Sequence, residues 1–256
     1  MNSREQFFTI KSVVNAQLEK RSSVTKIQNY LYIMYGPFEN YTESIILLCD
    51  NGKINAASVL LRSLVEAHIN IIYMQIGDMK KHLAEAAYEG FRQKVSICDN
   101  FIQLLKKYPN LVSEDKNSLY HPERLKHMKE FVERGRDSIL ELNNIDPKYT
   151  DKRYKVDLID KARKCDESGI IPDKPGFFED LYTLQYRYLS PVAHLNIEGL
   201  QHFVDEHNSK IVYKDGNNIE MVQGTAISLY AALVKDLYVH QVISGEIPNE
   251  VDELLK

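Results

Sequence analysis

An all-α protein with one small β-hairpin is what this sequence predicts, and three observations predict it. Punctuation is sparse: 256 residues hold only 11 Gly and 8 Pro, so helices run far before a breaker stops them. Apolar residues recur at three- and four-residue steps through most of the chain, the period of a helix with a buried face. Strand-like patterning is confined to Lys210-Ile211-Val212-Tyr213 and Ile219-Glu220-Met221-Val222, on either side of the turn-forming Lys214-Asp215-Gly216-Asn217-Asn218. With no internal repeat and no low-complexity run, residues 1–256 read as one helical domain, long enough for a real core.

The elements follow in order. From Arg4 to Tyr35 the residues Phe7, Phe8, Ile10, Val13, Val14, Leu18, Ile27, Leu31 and Met34 keep helical spacing, with a joint at Ser22-Ser23 and an end at Gly36-Pro37. A second helix is expected over about Thr42 to Cys49, stopped by Asn51-Gly52. Ile54 to Ile76 is the central helix, apolar around most of its circumference. One polar stripe interrupts it: Ser58, Arg62, Glu66, Asn70 and Tyr73. Charges in so apolar a coat need partners. Either Arg62 and Glu66 satisfy each other at i,i+4, or the stripe faces a polar cleft.

Asp78 has the position of an N-cap for a helix reaching about Lys107, with Leu83, Ala87, Phe91, Val95, Cys98, Phe101 and Leu105 inward. Polar residues 112–121 make a loop. Pro122 to about Leu142 is a charged amphipathic helix with Leu125, Met128, Phe131, Val132, Ile139 and Leu140 inward. A short helix ends near Cys165, a Gly- and Pro-containing loop leads to a helix starting at Phe177, and Leu195 to Val204 reads as helical. The last long helix, opened by Gly224, runs from Thr225 to about Ser244.

Composition excludes several functions. A net charge of −4 and a pI near 6.1 argue against a protein that coats nucleic acid indiscriminately, while a local basic cleft remains compatible. Acids interleave the clusters Arg124/Lys126/Lys129 and Lys152/Arg153/Lys155, which therefore read as solvated faces. Cys49, Cys98 and Cys165 are odd in number and share no C-x-x-C spacing, so a reducing cytoplasm is the expected compartment. The first residues carry no apolar signal core, and Arg62, Glu66 and His68 interrupt the longest apolar tract, so no membrane association is expected. Phosphate-loop, dinucleotide, nucleophile-elbow and H-E-x-x-H zinc signatures are all missing. His202, Asp205 and His207 are metal-capable residue types, but they cluster at the end of a helix where polar residues are ordinary. No metal or other cofactor is expected.

The chemistry concentrates in Tyr182-Thr183-Leu184-Gln185-Tyr186-Arg187-Tyr188-Leu189-Ser190-Pro191-Val192-Ala193-His194. On a continuous helix, Arg187 and His194 would face the same way about 10 Å apart. Pro191 interrupts that helix and favours a restart, with Ser190 as N-cap. The free N–H groups of a restarted helix beside Arg187 suit a phosphate. A helical corner with a buried, hydrogen-bonded histidine is the competing reading.

Together, Leu60-Leu61-Arg62-Ser63-Leu64-Val65-Glu66-Ala67 and Tyr186 to His194 resemble the abortive-infection-associated, uncharacterised branch of the HEPN superfamily, from about Ile45 to the last helix. The resemblance implies a helical bundle, a homodimer and a metal-independent endoribonuclease whose Arg187-x6-His194 pair is catalytic. Histidine would move the protons and the fixed guanidinium would take the phosphorane charge. Ser190 and Tyr186 would orient the pair, and Arg62 with Glu66 would hold the helices in register. RNA or a nucleotide is the implied partner, and a toxic phage-defence effector with a neutralising or regulatory protein is the implied setting. Tyr188 stands where ribonuclease members usually carry a small polar residue. Two other readings remain open: a non-catalytic HEPN module that binds nucleotide or RNA or dimerises to regulate a partner, and a structural domain with Arg187 and His194 in its core.

Overall fold

The computed structural model describes residues 2–18, 25–143, 156–171, 174–187, 189, 204–207, 210–213 and 219–255. In chain order the elements are α1 (Ser3–Leu18), α2 (Lys26–Asp50), α3 (Ile54–Gln75), α4 (Met79–Lys107), a 3₁₀ turn (Pro109–Leu111), α5 (Pro122–Asn143), α6 (Leu158–Glu167) and α7 (Phe177–Asp180). A π-helical segment (Leu181–Arg187), β1 (Val204–His207), β2 (Lys210–Tyr213), α8 (Ile219–Val239) and α9 (Asn249–Leu254) follow. Apart from one two-stranded ladder, the regular structure of the described residues is helical. The chain divides into two compact units, Met1–Tyr73 with Asp157–Lys256, and Met74–Val156.

The first unit is built around α8, which packs on α2, α1 and α9. Tyr230 is fully buried there. Its ring meets Phe7 edge-on at 4.8 Å, and its hydroxyl lies 2.9 Å from that of Tyr35, which donates to Asn15 Oδ1. Linked hydroxyls let three helices bury aromatic rings without stranding a polar group. Burial raises the pKa of both tyrosines.

Helix α2 corrects the expected break at Gly36-Pro37: it continues through Pro37 from a capping box in which Thr25 and Gln28 exchange side-chain-to-backbone bonds. Proline removes the amide that would bond to the Ile33 carbonyl. Both Pro37 and Ile33 are exposed, so water reaches the gap, while Leu31, Tyr35, Phe38, Ile45 and Ile46 are buried on the other side. Their combined burial, roughly 1.5–3 kcal/mol each for the aliphatic ones, outweighs a penalty of about 3 kcal/mol. Pro37→Ala is therefore expected to raise stability by about 1–2 kcal/mol, read as a higher urea midpoint with unchanged slope; a lowered midpoint would refute this account. The Ser22-Ser23 joint lies outside the described residues.

The hairpin also differs from expectation. β2 is Lys210–Tyr213 as read, but its antiparallel partner is Val204–His207, in the register Val204↔Tyr213 to His207↔Lys210. Ile219–Val222 instead forms the first turn of α8. Val222, Ala226, Ile227, Leu229, Tyr230, Leu233 and Leu237 are all buried on that helix, so tertiary packing overrides the β-branched local preference. Gly224 lies within α8 rather than opening it, and α8 ends at Val239. The helix expected over Leu195 to Val204 lies outside the described residues except at Val204, which is strand.

In the second unit, α4 and α5 form a hairpin. Asp78 caps α4 through Lys81 N at 3.2 Å, as its sequence position suggested. Lys129 bonds Asp99 at 2.6 Å, and Gly135 lies under the Phe91 ring, where a Cβ would come within 2.7 Å. The pairings 99 with 129 and 91 with 135 make the helices antiparallel. The buried set is narrower than the periodicity suggested. Ala84, Tyr88, Cys98 and Leu105 on α4 and Leu125 and Val132 on α5 are buried, whereas Ala87 is exposed and Phe131 is 69% exposed. A hairpin of two helices covers one stripe of each, so residues on the outer margin of that stripe stay in water. The side chain of Leu140 lies outside the described residues.

Candidate functional site

The segment that carries Arg187 begins at Gly176, whose φ of 78° is left-handed, a conformation glycine adopts without strain. No side chain of its own caps the helix that follows. Asp166, at the end of α6, caps it instead: the backbone N–H groups of Phe178 and Glu179 donate to its two carboxylate oxygens at 3.0 and 2.9 Å. A carboxylate at a helix start is favoured by the peptide dipoles. Arg163 completes the junction with ion pairs to Glu179 at 3.2 Å and Asp160 at 3.3 Å.

After Asp180 the winding changes to π-helical from Leu181 to Arg187. Wider i→i+5 turns are rare and recur at functional sites. They also shift the rotational register assumed for a uniform α-helix. Phe178, Leu181 and Leu189 are buried, whereas Leu184, which a uniform α-helix from Phe177 would place on one side with Leu181, is 62% exposed. Arg187 closes the segment and is exposed. His194 and Ser190, together with Tyr188 and Pro191, lie outside the described residues.

Across from this segment runs the polar stripe of α3, and its charges find partners on other elements. Arg62 Nη2 donates to the Tyr186 hydroxyl at 2.7 Å, and its guanidinium carbon stands 4.2 Å from the centroid of the same ring. Tyr182 stacks on Tyr186 at 5.3 Å and 21°. Arginine, tyrosine and tyrosine thus form one contiguous cation–π and aromatic column. No Arg62–Glu66 ion pair occurs among the described residues; Glu66 is exposed. Burial raises the Tyr186 pKa, the neighbouring Glu66 carboxylate adds to that shift, and Arg62 opposes it. Arg62 Nε is buried without a hydrogen-bond partner, so the guanidinium has donor capacity to spare.

Two turns further along, Asn70 donates to the Glu66 carbonyl at 2.8 Å and accepts from Lys161 Nζ at 2.7 Å. Lys161 and Lys164 hold their ammonium groups 5.5 and 5.8 Å from the centroid of the buried Tyr73 ring. Ser58 begins the stripe by bonding back to the Ile54 carbonyl. From Arg62 to Tyr73 the stripe spans about 16 Å of helix, with cations and aromatic rings alternating along it. Lys161 and Lys164 were missed in the sequence. The i,i+3 spacing of the two lysines on a short amphipathic helix was the available signal, but nothing in the sequence says which helix faces which.

Behind the stripe the chemistry is silent. His68 is 3% exposed, lies over Phe178 with centroids 6.0 Å apart, and burial lowers its pKa to about 4. Burial, aided by Asp166, raises the Cys165 thiol to about 12, and its Sγ points to the Ile69 carbonyl at 3.9 Å. At neutral pH these groups are a neutral imidazole and an unreactive thiol. All three cysteines are buried and free, and no cluster of metal-ligating side chains occurs among the described residues. No helix of the described residues is long and apolar enough to cross a membrane.

Fold and site together define a helical protein in which α3 and the π-helical segment share a cation–aromatic seam, and that segment ends in an exposed arginine. A family model described as a family of unknown function (DUF5677) matches residues 28–211. This is well over half of the chain, and the chain belongs to that family. The matched residues take in α3, α6 and the Arg187 segment. No curated protein and no solved structure matches the chain.

Proposed function

We propose that the protein is a metal-independent endoribonuclease of the HEPN type, with Arg187 and His194 as its catalytic pair. The observation that supports this most is the position of Arg187. It is exposed at the end of a π-helical segment, directly after a tyrosine that Arg62 holds by hydrogen bond and ring contact. A core fixture would be buried and internally bonded. An exposed guanidinium on an anchored backbone is ready for a phosphate without further reorganisation.

In this reading His194 accepts the proton of a ribose 2′-OH. The 2′-oxygen attacks the adjacent phosphorus, the P–O5′ bond breaks, and a protonated imidazole returns a proton to the 5′-oxygen, leaving a 2′,3′-cyclic phosphate and a 5′-hydroxyl. Arg187 stabilises the charge on the phosphorane. Tyr186 and Ser190 position the pair, and Arg62 with Glu66 supports Tyr186. A homodimer would bring two such motifs into one cleft, and a toxic role in phage defence, checked by a neutralising protein, is the setting we attach to it. The lysines at Tyr73 favour a second reading, a module that binds RNA or nucleotide without cleaving it, because their ammonium groups suit a phosphate backbone.

Purified protein incubated with RNA in excess EDTA tests the proposal. Wild type is expected to cleave, and His194→Ala and Arg187→Ala to lose at least about 100-fold in rate. Cleavage that persists in both variants removes these residues from the mechanism. RNA retention without cleavage by wild type transfers the assignment to the binding module.

A further inference from the structure

Far along the sequence from the arginine segment, α4, α5 and the loop between them line an open cleft of about 530 Å³, within the range of small-molecule sites. Leu105 and Leu125, 6% and 2% exposed, form part of its lining, and Ile102 and Val112 add to the apolar wall. Val112 is 43% exposed, so the protein itself leaves an apolar wall in water. Burying such surface is the driving force available to a ligand.

The rim gives the ligand's charge. Lys106, Lys126 and Lys129 line the cleft with Glu130 and Glu133. Lys129 is committed to Asp99 at 2.6 Å and to Glu133 at 3.7 Å. Lys126 reaches Glu130 only at 4.0 Å. Lys106 is exposed and has no carboxylate partner among the described residues. Lys129 is shared by Asp99 and Glu133 and Lys126 faces Glu130, so Lys106 is the rim charge left without an opposite partner among the described residues.

We propose that this cleft binds a single-chain amphiphile with an anionic head, a soluble medium-chain fatty carboxylate being the simplest member. The chain lies against Ile102, Leu105, Val112 and Leu125, and the carboxylate meets Lys106, with Lys126 free to turn toward it from its loose glutamate contact. A neutral alcohol of equal length gains the apolar burial alone, and an alkylammonium meets like charge. The site is independent of the RNA-cleavage reading.

Calorimetric titration of the full chain with decanoate and decanol, both below their aggregation limits, tests this. Decanoate is expected to bind with a Kd on the order of 0.1 mM, and decanol at least about fivefold more weakly. Lys106→Glu is expected to weaken decanoate about tenfold and leave decanol unchanged. Ile102→Trp, at a half-buried position where an indole fills the cleft without remaking the core, is expected to abolish both; melting curves of each variant report folding. Equal affinity for acid and alcohol, or undiminished decanoate binding by folded Ile102→Trp, overturns the proposal. So does sedimentation with anionic phospholipid vesicles in the absence of monomer binding.

Discussion

Phe178→Ala is expected to cost about 4 kcal/mol of stability and to lower Tm by on the order of 10 °C. Phe178 is 1% exposed. It lies over the His68 ring, meets Phe177 edge-on at 5.2 Å, and its own amide is one of the two that Asp166 caps. Truncation removes a ring from between α3 and the start of the Arg187 segment, and the cap holds the backbone so that it collapses little into the void. Differential scanning calorimetry with a urea titration measures the effect. A loss below about 1 kcal/mol would mean that the segment is not anchored here, and the anchored-arginine account would fail with it. Phe178→Leu is expected to recover most of the loss, since it restores much of the volume.

Acidification from pH 6.5 to pH 4 is expected to remove about 3 kcal/mol of stability through His68 alone. The sign follows from the two states. The folded pKa is lowered to about 4 from an ordinary 6.5, so in this window the unfolded chain binds a proton that the folded one refuses. Stability from this group is therefore intact above pH 6.5 and declines as pH falls toward 4. Burial is the cause: His68 is 3% exposed, and its Nδ1 is buried without a hydrogen-bond partner. His68→Leu keeps a similar volume and has no proton to gain. Urea midpoints of both proteins between pH 7 and pH 4 should diverge in favour of the variant as pH falls. Parallel curves would show that the imidazole is already solvated and would sink the claim.

Helix content, the extent of α3 from Ile54 and the cap at Asp78 were legible because each depends on local period and local hydrogen bonding. The break at Gly36-Pro37 was misread for the same reason. Proline carries a strong local signal, but the side of α2 away from it buries Leu31, Tyr35 and Phe38, and that burial is a long-range property. Ile219–Val222 failed likewise: β-branched residues suggested a strand, and packing against α1 and α2 made a helix.

The candidate site divides in the same way. By itself the sequence determined that α3 carries a polar stripe needing partners and that arginine, tyrosine and histidine collect in one aromatic stretch, since composition and spacing are written in the chain. Only the tertiary structure decided that Arg62 takes Tyr186 rather than Glu66, that Asp166 caps amides twelve and thirteen residues on, and that Lys161 and Lys164 stand over Tyr73. It also decided the π-helical winding that carries Arg187 into water. Local periodicity fixes which residues share a face, whereas the choice of partner is a competition among elements distant in sequence, settled by the free energy of burying them together.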